Sequence, residues 1–136
     1  MMDLREQFET VLAEFGDLMD VRLTMGDGNE CWLEVDGTVD IRLAFDVEND
    51  SVILWSAAGE LPPDAAASGL ARRLLALCGD ADGSCGFILG MDGESRLLCI
   101  SGECPATWLY SANRLADWLE RLVAFHGMVR RELAAR

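Results

Sequence analysis

Val39, Ile41, Leu43 and Phe45 alternate with Asp40, Arg42, Ala44 and Asp46, and this two-residue period limits what the chain can fold into more than any other feature. It marks a strand with one face buried and one face open. The polar run Glu48-Asn49-Asp50 interrupts the pattern, and Val52-Ile53-Leu54-Trp55 resumes it without alternation, so a second strand is apolar on both sides. Something must cover its second face. Upstream, Cys31 to Val35 meets Thr38 across Asp36-Gly37, a dipeptide suited to the positive φ angles of a two-residue hairpin turn. Three antiparallel strands in chain order are the expected scaffold.

Helices are expected on either side of it. Leu4, Phe8, Val11, Leu12 and Phe15 recur at steps of three and four, Asp3 and Glu6 have the spacing of a capping box, and Gly16 is placed to end that helix in a left-handed cap. Val21 to Met25 adds a short extended piece before a glycine loop. Pro62 and Pro63 stop the third strand, and a helix from Ala65 to Cys78, capped by Asp64, lines up Ala67, Leu70, Ala71, Leu74 and Leu77. Its alanines and Gly69 allow a close neighbour, a second copy among the possibilities. Cys85 to Met91 and Arg96 to Ser101 flank Asp92-Gly93-Glu94 as a second hairpin. Ser111 caps a long closing helix with Leu115, Trp118, Leu119, Leu122, Phe125, Val129 and Leu133 on its apolar side.

The order α-β-β-β-α-β-β-α over residues 1–136 predicts one α+β domain, with helices packed on one face of a five-stranded antiparallel sheet. The opposite face is then expected to carry Trp32, Ile53, Trp55, Ile88 and Ile100, a patch that a monomer seldom leaves in water. The competing expectation is that helices cover both faces and that Trp32 and Trp55 are simply core.

The charge balance narrows the partners. With 24 acidic residues against 11 basic, all arginine, the chain carries −13, and a field of that sign repels nucleic acid and anionic lipid. No apolar run approaches the ~20 residues needed to span a bilayer, and the start MMDLREQFE lacks the basic and apolar regions of a signal peptide. A cytoplasmic location follows as the expectation. In that compartment Cys31, Cys78, Cys85, Cys99 and Cys104 are expected to be reduced, structural thiols.

No catalytic, cofactor or metal constellation emerges. The Cys78–Cys85 and Cys99–Cys104 spacings do not suit zinc knuckles, and the sole histidine, His126, falls beside core positions of the closing helix. Gly79 to Gly86 (GDADGSCG) lacks the lysine of a phosphate loop, and neither acidic cluster, Asp80/Asp82 or Asp46/Glu48/Asp50, has the EF-hand spacing. The apolar sheet surface remains. It suits a second subunit or an extended guest peptide, and the rival is a small-ligand sensor or enzyme with an internal pocket between sheet and closing helix.

Several stretches, FETVLAEFG, WLEVDGTVDIRLAF, VILWSAAGELP with its alanine- and leucine-rich helix, GFILGMDGESRLLCIS and the closing helix, resemble the class I chaperones of bacterial type III secretion, the family of the Tir chaperone. The resemblance implies a small acidic cytoplasmic homodimer, not an enzyme and without cofactor. It would hold the N-terminal segment of a secreted effector extended and competent for export, without nucleic acid or membrane insertion. It further implies subunit contact through Leu70, Leu74, Phe87 and Ile88, and a guest path near Leu23, Trp32, Ala44, Ile53 and Trp55.

Overall fold

The computed structural model of the chain describes residues 3–20, 23, 25–26, 28–79 and 86–135. Helix α1 (Leu4–Leu18) starts where Asp3 Oδ1 accepts the Glu6 amide at 2.8 Å and Glu6 Oε2 accepts the Asp3 amide at 3.4 Å, two donors that the helix itself leaves without partners. The helix runs through Gly16, its expected end, which is buried; Asp20 instead takes the left-handed conformation, with φ 58°. The extended piece expected at Val21–Met25 falls largely outside the described residues, and of it Leu23 and Met25 are buried.

Strands β1 (Glu30–Val35) and β2 (Val39–Asp46) pair antiparallel with Val35 opposite Val39. Between them Asp36 and Gly37 adopt φ 55° and 69°, and the Thr38 amide donates to the Val35 carbonyl at 3.2 Å. The turn keeps its expected chemistry but includes Thr38, so it is one residue wider than a two-residue loop. Strand β3 (Ser51–Glu60) follows β2, and the sheet order is β1-β2-β3-β5-β4 with every pairing antiparallel.

Helix α2 (Leu70–Gly79) begins later than the expected Ala65. Gly69, at φ 80°, stands in the left-handed region that a helix interior cannot contain, and its carbonyl accepts the Arg73 amide at 3.1 Å as the first full turn forms. Residues 63–69 are turns, so Asp64 is not the helix cap. Strands β4 (Ile88–Met91) and β5 (Leu97–Pro105) form the second hairpin, whose loop extends to Arg96 at φ 60°. There the Arg96 guanidinium donates to the Leu61 and Pro62 carbonyls at 3.0 and 3.1 Å, holding the loop against the end of β3. A short 3₁₀ turn (Ala106–Trp108) leads to α3 (Ala112–Ala134), capped by Ser111 Oγ, which accepts the Arg114 amide at 3.2 Å. The GDADGSCG turn lies almost wholly outside the described residues.

The core lies between one face of the sheet and the helices. Val39, Ile41, Leu43 and Phe45 of β2, Val52 and Leu54 of β3, and Leu98 and Ile100 of β5 meet Phe8, Leu12 and Phe15 of α1 and Leu115, Leu119, Leu122, Phe125 and Val129 of α3, all at most 6% exposed. Each such aliphatic or aromatic side chain contributes roughly 1.5–3 kcal/mol by leaving water. Ile100 was expected on the other face; its register partner Ser56 is fully buried, and the pair points towards the helices.

Docking of α3 depends on an irregularity in β3. The β3–β5 register shifts between Ala57 and Gly59, and the loosened carbonyls of Ala57 and Ala58 are taken by His126 Nε2 and Arg130 Nη1, each at 3.1 Å. A carbonyl only accepts, so His126 carries its proton on Nε2. Gly59 has φ 136°, and a Cβ there would lie 3.0 Å from both Arg130 Nη1 and Leu133 Cδ1. The bulge and the helix fit because that atom is absent.

Candidate functional site

Among the described residues no helix covers the second face of the sheet. Across it Trp32, Arg42, Trp55, Ser101 and Ile88 are successive register partners on β1, β2, β3, β5 and β4. A parallel row runs Glu30, Ala44, Ile53 and Glu103. On β2 and β3 the strand neighbours of these residues are buried, so the alternation of β2 carries over to the next strand. Trp32 is 53% exposed and Ile88 66%, while Ala44, Ile53 and Trp55 are half-buried. The expectation that the tryptophans are core beneath a second helical layer is thereby corrected.

Trp32 and Trp55 meet edge to face with ring centroids 6.0 Å apart. Arg42, between them in register, is drawn sideways by Glu30, whose Oε2 accepts from Nε at 2.7 Å. The centre of the face is therefore aromatic and aliphatic, and its one described cation is already paired. Around it stand Glu34, Asp40, Asp46 and Glu103. Asp46 accepts from Asn49 Nδ2 at 2.7 Å, a bond that holds its carboxyl below the usual range, as the bond from Ser95 does for Asp92. Glu103 accepts from Ser51 Oγ at 2.6 Å.

Of the expected guest-contacting residues, Trp32, Ala44, Ile53 and Trp55 come together on this face. Leu23 does not join them, being packed in the core at 9% exposure. Of the expected subunit-contact residues only Ile88 is exposed; Leu70, Leu74 and Phe87 are buried within the single chain. Helix α2 packs on α3 of its own chain, and Phe87 stacks on Trp118 with centroids 6.3 Å apart. The exposed apolar side chains near Ile88's strand and on α2 are Met91 and Leu75. Leu75 lies off the stripe, and its signal in the sequence was a second leucine directly after Leu74, out of step with the helical period. Arg42 was also missed, although a lone cation in the open-face alternation was visible.

The space between sheet and α3 is filled by the α3 core residues, so the expected rival, an internal pocket there, is not found among the described residues. One surface groove, of about 250 Å³, is lined by Phe87, Gly102, Trp108, Arg114 and Trp118 among others. Its floor requires Gly102, where a Cβ would come within 2.6 Å of the Phe87 ring. Burial pushes the His126 pKa down, with Arg130 adding to the effect and the Ala57 carbonyl opposing it. Burial pushes the Cys31 and Cys104 thiols up, whereas Cys78 is exposed and Cys99 half-buried. Among the described residues no group of three or more His, Cys, Asp and Glu is arranged to hold a metal, and no helix is long and apolar enough to cross a membrane.

A one-sided α+β sheet with an aromatic, acid-rimmed outer face defines a binding module. The sequence model of the Tir chaperone protein (CesT) family matches residues 10–125, and the chain belongs to that family. Among solved structures the fold is similar to a chain of the HopA1–SchA chaperone–effector complex, with a TM-score of 0.77 and 20% identity over 96% of this chain and 99% of that one. It is likewise similar to a chain of the ExsC–ExsE complex, with a TM-score of 0.78 and 19% identity over 96% of each. A third likeness is to the structure of the Yersinia pestis type III secretion chaperone SycH in complex with a stable fragment of YscM2, with a TM-score of 0.65 and 16% identity over 90% and 98%. At these identities the likeness is one of fold. No curated protein matches the sequence.

Proposed function

We propose that the protein is a cytoplasmic type III secretion chaperone that holds the N-terminal segment of a secreted effector in extended form on the open sheet face. The observation that carries this reading is the patch of Trp32, Trp55, Ile53 and Ala44 on the open face, over which no helix lies among the described residues. An extended segment adds main-chain hydrogen bonds at a sheet edge while its side chains fill surface grooves. Membership of the chaperone family and the fold shared with chains from chaperone–effector complexes support the same reading. The activity is binding, not catalysis.

We also propose a homodimer, through the margin formed by α2 and β4. Leu75, Ile88 and Met91 are 72%, 66% and 46% exposed there, and in this proposal they replace Leu70, Leu74 and Phe87 as the contact. The chain should co-purify from its native cytoplasm with an exported protein whose N-terminal segment alone suffices for capture. Trp32→Glu or Ile53→Glu should abolish that capture with the circular dichroism spectrum unchanged. Unfolding of both variants, or capture that survives them, would refute the assignment.

A further inference from the structure

The outer margin of β1 has a defined hydrogen-bonding phase. The Asn29 carbonyl accepts the Phe45 amide at 2.8 Å and the Val35 carbonyl accepts the Thr38 amide at 3.2 Å, so the odd-numbered residues of this strand turn their backbone groups towards β2. The groups of Glu30, Trp32 and Glu34 therefore turn outwards. The Glu30 carbonyl accepts the Gly26 amide at 2.9 Å; among the described residues the outward groups of Trp32 and Glu34 have no backbone partner. An added strand would bond there.

Side chains at that margin differ in what they call for. Trp32 asks for an apolar neighbour. Glu30 is satisfied by Arg42. Glu34 stands directly opposite Asp40, both exposed, and among the described residues neither has a cationic partner. Like charges directly opposed destabilise an antiparallel pair, and a cation from an added strand would relieve them. A second copy of this chain, at −13, would bring like charge to the same place.

Resting on the reading of this face as the seat of an extended polypeptide, we infer that the guest strand carries an apolar residue beside Trp32 and an arginine or lysine two residues away, beside Glu34, its long side chain reaching over β1 towards Asp40. The residue between them lies on the helix side next to Leu33, which is half-buried, and is apolar. The recognised segment is thus apolar, apolar, basic.

Fluorescein-labelled ten-residue peptides of valine and leucine with serine ends, carrying arginine, glutamine or glutamate two positions from a central leucine, test this by anisotropy. The arginine peptide should bind at least tenfold more tightly than the glutamate peptide, with a preference that shrinks as salt rises. In Glu34→Gln/Asp40→Asn the three should bind alike. In Glu94→Gln/Glu120→Gln, which removes the same charge elsewhere, the preference should persist. Equal binding to the unaltered protein, or a preference that survives Glu34→Gln/Asp40→Asn, overturns this inference and leaves the chaperone reading standing. Absence of binding by every peptide counts against both. If Trp32→Glu turns a dimer into a monomer, the occupant is a second copy and the inference fails.

Discussion

Trp32 and Trp55 touch edge to face, at 81° between ring planes, although a whole strand separates β1 from β3. Arg42 is the register partner of both, and its guanidinium is turned aside to Glu30, which lets the rings meet above the strand. Such an aromatic pair contributes ~0.5–1.5 kcal/mol beyond its area.

Because Trp32 is more than half exposed and Trp55 is half-buried, the two should separate function from stability. Trp32→Ala is expected to weaken guest binding about tenfold, ~1.4 kcal/mol, with little change in the unfolding midpoint. Trp55→Ala is expected to weaken binding and also to lower stability by about 1–2 kcal/mol. Peptide anisotropy and urea denaturation measure the two effects.

The proposed homodimer rests on different residues. The unaltered protein should sediment as a dimer at micromolar concentration, and Ile88→Glu or Leu75→Glu as a monomer with the same circular dichroism. A monomeric parent protein would refute the proposed contact.

The β3 bulge admits no side chain at residue 59. Gly59→Ala combines a backbone conformation that L residues rarely adopt with contacts at 3.0 Å, and is expected to cost about 1–3 kcal/mol. A shift of the urea midpoint without a change of slope would show it.

His126 sets a pH dependence whose sign follows from its burial. Its folded pKa lies below the ordinary 6.5, so the unfolded chain binds the proton more readily, and stability present above about pH 6.5 is lost as pH falls below that value. Asp46 and Asp92, with lowered values, titrate in a more acidic range. Between pH 7 and 5, denaturation should show the unaltered protein losing stability relative to His126→Gln, whose amide can still donate to Ala57.

Much of this architecture was legible from local rules. The β2 alternation fixes which residues face the helices, and with the Asp36-Gly37 turn it aligns Trp32 with Arg42. The caps at Asp3 and Ser111 depend only on residues within one turn. Tertiary choices were not legible. An apolar stripe such as Leu70, Leu74 and Leu77 does not say whether it packs on its own chain or on another subunit, and here Leu70 and Leu74 are buried within the single chain, where α2 lies on α3. Ile100 was misplaced because β5 is apolar on both sides, which leaves its facing to a register with β3 that only the assembled sheet defines. Leu23 is apolar and precedes β1 in the sequence, yet it is packed in the core.

In the order β1-β2-β3-β5-β4 the first and fourth strands are the outermost, four spacings of about 4.8 Å, or ~19 Å, apart. Changes at such a distance combine without interfering. On the proposed assignments, cargo preference and self-assembly can therefore drift separately over evolutionary time, and one scaffold can be re-tuned to a new client at Trp32 and Glu34 without disturbing the contact proposed at Ile88.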